Sequence, residues 1–213
     1  MNLATNSLIP FLIALSFAAG LNVYATTATL GLLSRFHLVD LPPGLDILAN
    51  RWVIAASLLC FVCEFFADKI PYVDLVWNVV HTFVRIPVAA LLAYRASMAL
   101  PPEMQWAAAA LGAGVAAVAH TSKTAARTLV SVSPEPVTNI GLSSGEDALA
   151  IALVWVATRH PRVAAAVAGI LVIAGLICAR WIVRAVGRQF RRRDRHLKND
   201  HGPESRVGLR SDV

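Results

Sequence analysis

The 213-residue chain is 57% hydrophobic and only 15% charged, and its 19 Lys and Arg against 13 Asp and Glu give a formal net charge of +6. In an ordinary soluble domain about 25% of the residues are charged. Residues 180–213 contain ten Lys or Arg and four Asp or Glu, whereas residues 1–179 contain nine of each. A neutral, apolar body excludes most soluble classes, including a basic nucleic-acid-binding domain. It predicts an all-α, polytopic transmembrane helical bundle.

A helix needs about 20 apolar residues to cross a bilayer. The apolar stretch at the N-terminus lacks a positively charged start and a processing site, so we expect it to be retained as a helix rather than removed as a signal peptide. We predict a transmembrane helical domain over residues 1–190 and a basic disordered tail over residues 191–213. The domain is expected to contain five to six membrane segments, at 8–33, 52–67, 76–94, 106–130, 147–158 and 163–186.

Two of these segments are interrupted by polar residues. The first runs into AGLNVYATTATLGLL and the fourth into HTSKTAARTL. We expect both to be broken or re-entrant, which a membrane tolerates only where the backbone is buried in protein or lines water. The same order of features follows each, so residues 7–97 and 104–187 form the two halves of a predicted inverted repeat, as in many transporters. The alternative is that alanine-rich helices simply resemble one another.

Positive charge follows the last segment directly. The apolar run from Val163 to Val186 continues into Arg191, Arg192 and Arg193. Clustered arginine beside a membrane helix is typical of the cytoplasmic side. We therefore expect a cytoplasmic C-terminus whose partners are the lipid bilayer and its anionic head groups rather than nucleic acid.

Ionisable residues within apolar segments are costly and usually face one another or an aqueous cavity. Pairs four residues apart share a helix face; such pairs are Glu64 with Asp68 and His81 with Arg85. Structural alternatives are an interfacial loop with helix caps for Asp68, Lys69 and Asp74, and pairing with a carboxylate for His81 and Arg85. The residues predicted to couple protons or to gate are Glu64, Asp68, Asp74 and His81.

Lys123 and Arg127 form a third pair, in a segment rich in hydroxyl groups. Cations with hydroxyl donors suit an oxyanion, such as a small anionic solute or a lipid phosphate. The alternative is that they neutralise Glu64 and Asp68 across a helix interface. Glu146 and Asp147 are expected in the first turn of the next helix, capped by Ser143 or Ser144. The predicted substrate-binding residues are Asn22, Thr26, Arg85, His120, Ser122, Lys123, Thr124 and Arg127.

No catalytic residues, metal ligands or cofactor are predicted. Cys60 and Cys63 form a C-x-x-C, but no second cysteine pair accompanies it. Buried apolar cysteines are therefore the expectation. Histidine spacing typical of a zinc enzyme and a glycine-rich phosphate loop are both missing from the sequence.

The stretches GLNVYATTATLGLL, FFADKIPYVDLVWNVVHTFVRIPVAALLA and HTSKTAARTLVSVSPEPVTN resemble a bacterial family of small integral membrane proteins, domain of unknown function 4126. The resemblance covers most of residues 7–186. It rests on an Asp-Lys-hydrophobic-Pro turn with a following acidic residue (Asp68, Lys69, Pro71 and Asp74) and on the segment Ser122 to Thr128. It implies a multi-pass protein of the bacterial inner membrane, and it names no substrate, reaction or cofactor.

Three functions fit these observations. The leading hypothesis is a small transporter or permease-like protein with a central polar site for an anionic solute or lipid phosphate. The second is a membrane-embedded enzyme acting on lipid phosphate or head groups, with Asp74 or His81 as a base. The third is a non-catalytic scaffold whose buried charges satisfy one another. A homo-oligomer is compatible with each.

Overall fold

The computed structural model describes residues 5–70, 73–131 and 136–200, and all of its regular structure is helical. Each helix starts close to a predicted turn or polar stretch, because Pro and polar caps interrupt the apolar sequence there. The elements are α1 (Thr5–Leu21), α2 (Val23–Arg35), a 3₁₀ helix (Pro43–Ala49), α3 (Arg51–Ala67), α4 (Val73–Ala96), α5 (Pro102–Ser131), α6 (Pro136–Arg159) and α7 (Pro161–Asp200).

The interruption predicted in the first segment is present at Asn22, between α1 and α2. Its backbone is extended, with φ −150° and ψ 104°. Its side-chain oxygen accepts a hydrogen bond from the Ala25 backbone N–H at 2.9 Å, so Asn22 caps α2. Asn is favoured at this position because its side chain satisfies a backbone donor that lacks a helical partner. The break is therefore one residue long.

The second predicted break is wrong, because α5 continues without interruption through the polar stretch. Hydroxyl groups of this stretch bond within their own helix: Thr121 donates to the carbonyl of Ala117 at 2.7 Å and Ser122 to that of Val118 at 2.8 Å. Such bonds leave the main-chain hydrogen bonds of the helix in place. The neighbouring alanines also favour helix strongly. Polar composition alone therefore does not break this helix.

Two predicted boundaries differ from the structure. Helix α6 begins at Pro136, so Glu146 and Asp147 lie in its middle and not in a first turn capped by Ser143 or Ser144. Helix α7 extends to Asp200, well into the segment 191–213 that was predicted to be disordered. Arg and Lys are good helix formers, and the first Gly and Pro after residue 187 are Gly202 and Pro203. Residues 201–213 lie outside the described part.

Helix α1 lies at the centre of the bundle and packs against α4, α5, α6 and α7. Phe11, Leu12 and Leu15 are almost completely buried in this contact. At Gly20, an added Cβ would come within 2.6 Å of the Ala116 carbonyl oxygen, so glycine permits α1 and α5 to approach closely. Small residues are typical of tightly packed membrane helices.

Three helices are long and apolar enough to cross a membrane, in the segments Val79–Ala96, Ile140–Arg159 and Pro161–Cys178. The 3₁₀ helix and α3, which meet at 69°, form a fourth when taken together. The described part of the chain thus contains three to four candidate spans, fewer than the five to six predicted. Helix α1 is short, and α5 is rich in Ala and Gly and carries Lys123 and Arg127.

Large apolar side chains cover the outside of the bundle. Phe83 is 78% exposed, Ile170 is 67% exposed and Trp181 is 70% exposed. Extensive exposed apolar surface marks contact with a membrane or another protein. Together with the candidate spans, it makes a multi-pass membrane protein the natural interpretation of this fold.

Candidate functional site

Seven ionisable side chains from α3, α4, α5 and α6 gather inside the bundle, beside the break between α1 and α2. Each is at most 8% exposed as a residue. Burial of this many charges is costly unless they compensate one another. We call this group the charge cluster; its members are Glu64, Asp68, Arg85, Lys123, Arg127, Glu146 and Asp147.

Lys123 and Arg127 of α5 lie at the centre of the cluster. Lys123 Nζ is 3.1 Å from Asp68 Oδ2, 3.5 Å from Glu146 Oε2 and 3.8 Å from Glu64 Oε1. Arg127 Nη2 is 2.8 Å from Asp68 Oδ2 and 2.7 Å from Glu146 Oε2. The spacing of four residues places both cations on one face of α5. They therefore join the carboxylates that follow or lie on α3 to the carboxylate of α6.

Arg85 of α4 forms the other part of the cluster. Its guanidinium donates to Glu64 Oε1, and its Nη1 donates to His120 Nδ1 at 2.9 Å. Because arginine has only donors, His120 Nδ1 must accept, so the imidazole is neutral with its proton on Nε2. That Nε2–H is 2.7 Å from Thr82 Oγ1, which accepts it. A second proton on His120 would therefore displace Arg85.

The break at Asn22 is tied directly to the cluster. Asn22 Nδ2 donates to Asp147 Oδ1 at 2.8 Å, and Lys123 Nζ donates to the Leu21 carbonyl at 3.2 Å. Leu21 is the last residue of α1, where carbonyl groups lack helical partners. The end of α1 thus interacts with a cation and the start of α2 with a carboxylate, as expected from the helix dipole and N-cap chemistry.

His81 lies apart from these ion pairs, at the edge of the polar interior. Its Nδ1 donates to the Trp77 carbonyl at 2.8 Å, and its Nε2 forms a hydrogen bond with the Tyr24 hydroxyl at 3.1 Å. The imidazole is only 3% exposed. His81 therefore connects α4 to α2.

The structure brings together most of the predicted site residues. Glu64, Asp68, Arg85, Lys123 and Arg127 form ion pairs, and Asn22 and His120 bond to the cluster. The arrangement in which Lys123 and Arg127 neutralise Glu64 and Asp68 across a helix interface is thus the one observed, with Glu146 added. The side chain of Asp74 lies outside the described residues.

Three predicted hydroxyl residues have local bonds. Thr26 Oγ1 donates to the Asn22 carbonyl at 2.8 Å and Thr124 Oγ1 to the His120 carbonyl at 3.0 Å. Ser122 is half-buried and lies against Gly175 of α7. Its position therefore serves helix packing.

Sequence reasoning missed Glu146 and Asp147 as members of the site. The residues before them include Gly141, Ser143, Ser144 and Gly145, which are typical of a loop. Glu146 is only 8% exposed and Asp147 only 3% exposed, although neither had been expected inside the bundle. The available signal was charge balance, because Lys123 and Arg127 on a helix in apolar surroundings require carboxylates nearby.

The cluster carries more acid than base. Among the described side chains, four carboxylates face three cations, so its formal charge is −1 with histidine neutral. In the described part of the chain, the buried oxygen atoms without a hydrogen-bond partner include Glu64 Oε2 and Asp147 Oδ2 of the cluster and Ser143 Oγ, one helical turn before Asp147. Buried polar atoms are nearly always satisfied in folded proteins. These atoms therefore mark the part of the interior where a ligand, a proton or water would be bound.

Among residues 5–70, 73–131 and 136–200, no group of three His, Cys, Asp or Glu side chains has the arrangement of a metal site. Cys60 is half-buried and Cys63 is exposed, so the expected burial of the C-x-x-C is wrong for Cys63. The cysteine lies on the outer surface of α3 among apolar neighbours.

A family model described as "Domain of unknown function (DUF4126)" matches residues 9–181. The chain belongs to this family. The match begins in α1 and ends in α7, so the DUF4126 region contains the whole charge cluster and the break at Asn22. No curated protein and no solved structure matches the chain.

Proposed function

We propose that this DUF4126 chain is a small multi-pass transporter of the bacterial inner membrane, with the charge cluster as its central site for a small anionic solute or a lipid phosphate. The observation that carries the proposal is the position of the cluster beside a broken helix. Membrane transporters bind their substrates at such breaks, where helix ends inside the membrane offer unpaired backbone groups. Here the backbone carbonyl of Leu21 accepts from Lys123 and the side chain of Asn22 donates to Asp147, so both residues at the break contact the cluster.

An anion would enter the cluster by replacing one of its carboxylates. Lys123 and Arg127 are both paired with Asp68 and Glu146. Glu146 is the more accessible of these two carboxylates, with 10% of its side chain exposed against 0% for Asp68. A phosphate oxygen has the same geometry toward arginine as a carboxylate oxygen. Exchange at Glu146 therefore provides a route for loading the site.

The charge of the cluster favours co-transport of protons. Its formal charge is −1 before any anion binds, counting the described side chains. An additional anion in this buried setting would be strongly unfavourable, because uncompensated buried charge costs far more than charge in water. Uptake of a proton by one of the carboxylates removes this penalty. We therefore expect anion and proton to move together.

The proposed topology has six crossings, with α1 and α2 forming one crossing and α3 to α7 one each. Helix α1 needs less apolar surface than the others because other helices surround it, and α5 is covered on the faces that pack against α1, α4 and α7. The contacts support the inverted repeat: α1 packs on α4 and α7, and α5 also packs on α7 and α4. An even number of crossings places both termini in the cytoplasm, in agreement with the arginines after α7.

Transport is tested with the full-length chain in proteoliposomes, using radiolabelled inorganic phosphate as the probe and an acidic exterior. We expect uptake above that of empty vesicles and a loss of uptake in Lys123→Gln. In Glu146→Gln the Michaelis constant should fall, because the competing carboxylate is removed. Arg162→Gln, at an exposed position of α7, is the matched control. Phosphate uptake that is unchanged in Lys123→Gln contradicts the proposal, and so does uptake equal to that of empty vesicles when no Lys123-dependent lipid movement is found either.

The source of the phosphate group is tested separately. Vesicles containing a fluorescent phosphatidylglycerol report lipid movement between leaflets by chemical quenching of the outer leaflet. Lipid movement that depends on Lys123, without phosphate uptake, would assign the site to lipid phosphate. Covalent change of the lipid, measured by mass spectrometry, would instead favour an enzyme.

A scaffold is the second candidate, and the ion pairs themselves favour it. Asp68, Lys123, Arg127 and Glu146 bond to one another, which is what a purely structural cluster requires. A scaffold predicts that charge-neutral double replacements such as Asp68→Asn with Lys123→Gln leave the function intact. A transporter predicts that they abolish flux even when the protein folds.

A further inference from the structure

Asp147 differs from the other three carboxylates of the cluster. Glu64, Asp68 and Glu146 each lie within 4 Å of a cation. Asp147 forms no ion pair with any residue in the described part of the chain. Its Oδ1 accepts from the Asn22 amide, while its Oδ2 is buried and has no partner there. The formal surplus of negative charge in the cluster is therefore located on Asp147.

The surroundings of Asp147 offer little to neutralise it. The charged groups that act on it are Lys123 from α5, Glu64 from α3, and Asp68 and Lys69 from the turn after α3. Lys123 is already shared among three other carboxylates, and Glu64 and Asp68 repel. The ammonium group of Lys69 donates to the Phe65 carbonyl at 3.0 Å and forms no ion pair with Asp147 in the described part of the chain. Helix α1, which packs against α6, contains no ionisable side chain in Thr5–Leu21.

A buried carboxylate without a cation is stabilised most simply by binding a small positive ion or a proton. In the described part of α6, the other buried oxygen without a partner is Ser143 Oγ, one helical turn before Asp147 and completely buried. Hard metal cations take six or more oxygen ligands. Here, on the described stretch of α6, only two buried side-chain oxygens are free to bind, Asp147 Oδ2 and Ser143 Oγ, because Asp147 Oδ1 already accepts from the Asn22 amide. Two oxygens are too few for such a metal ion but sufficient for a proton.

We propose that Asp147 is the residue at which this chain binds and releases a proton. Protonation forms an O–H bond at Oδ2 and converts the carboxylate to a neutral acid, and release returns the proton to water on the side to which the site is open. Oδ1 keeps its bond to Asn22 in both states, but that bond weakens when the carboxyl is neutral. Because Asn22 caps α2, the protonation state of Asp147 is linked to the break between α1 and α2.

The proton site is tested on the full-length chain in lipid nanodiscs by infrared difference spectroscopy between acidic and alkaline pH. We expect a protonated-carboxyl band that is lost in Asp147→Asn and shifted in Asp147→Glu. Asp46→Asn, at an exposed position of the 3₁₀ helix, should retain it. Asparagine keeps an oxygen to accept from Asn22, and thermal unfolding checks that each variant is folded. A band that persists unchanged in both Asp147 variants overturns the proposal.

A sodium titration at fixed pH distinguishes binding of a proton from binding of a sodium ion. A spectral change that sodium produces, and that Asp147→Asn removes, would assign the site to sodium and overturn the proton assignment. The role of this proton in transport rests on the proposed function, and the two fail separately. If phosphate uptake keeps the same dependence on the pH gradient in Asp147→Asn, the role of Asp147 in coupling fails while transport stands. If the band behaves as expected and the native chain moves no solute, transport fails while the proton site stands.

Discussion

Replacing Arg85 with glutamine tests whether the buried cluster is held together by charge balance. Arg85 is completely buried and donates to Glu64. Its loss changes the formal charge of the described cluster from −1 to −2. Removing one partner of a buried ion pair costs about 3–5 kcal/mol, because the remaining charge is left uncompensated. Lys123, whose Nζ is 3.8 Å from Glu64 Oε1, compensates part of this, so we expect a cost near the lower limit.

The effect is measured as thermal unfolding of the full-length chain in detergent micelles, followed by tryptophan fluorescence. In a chain of this size, 1 kcal/mol changes the melting temperature by roughly 2–4 °C. A cost of about 3 kcal/mol therefore predicts a decrease of roughly 6–12 °C for Arg85→Gln. Arg162→Gln, which removes an exposed arginine of α7, should leave the melting temperature nearly unchanged.

The double variant Glu64→Gln with Arg85→Gln makes the test decisive. It removes both charges of the pair and returns the described cluster to −1. We expect it to be more stable than Arg85→Gln alone, since neither partner of this pair is left as an uncompensated charge. The reasoning is refuted if Arg85→Gln has the same melting temperature as Arg162→Gln. It is also refuted if the double variant loses as much stability as the two single variants added together.

Two further substitutions test the helix break and the helix packing by the same unfolding measurement. Asn22→Ala removes the cap of α2 and the donor to Asp147. We expect it to lower the free energy of unfolding by about 1–3 kcal/mol more than Asn50→Ala, which removes only an exposed cap of α3. Equal losses in the two variants would contradict the buried bond. Gly175→Ala should lower the free energy of unfolding by about 1–3 kcal/mol because the new Cβ meets Ser122. Gly169→Ala, with open space around it, should be neutral or slightly stabilising. The reverse order would refute the packing of α5 on α7.

The sequence by itself determined the all-α class, the approximate positions of the helices and the family. These properties depend on local features, namely the length of apolar runs and the Pro and Gly residues between them. It also identified Glu64, Arg85 and Lys123 as candidates, because an ionisable residue in apolar sequence is conspicuous without any knowledge of its partner. The number of membrane spans was less well determined, since α5 combines length with a modest apolar content.

Only the tertiary structure decided which charges meet and where the polar segments break. Asn22 and His120 stand in similar polar stretches, but Asn22 ends a helix and His120 lies within one. The difference depends partly on Asp147, which accepts from Asn22 across 125 residues of sequence. The Gly and Ser residues before Glu146 predicted a loop there, but α6 already begins at Pro136. Glu146 therefore lies within the helix and belongs to the site. Partners so distant along the chain leave no local pattern, so their pairing follows only from the packing of the helices.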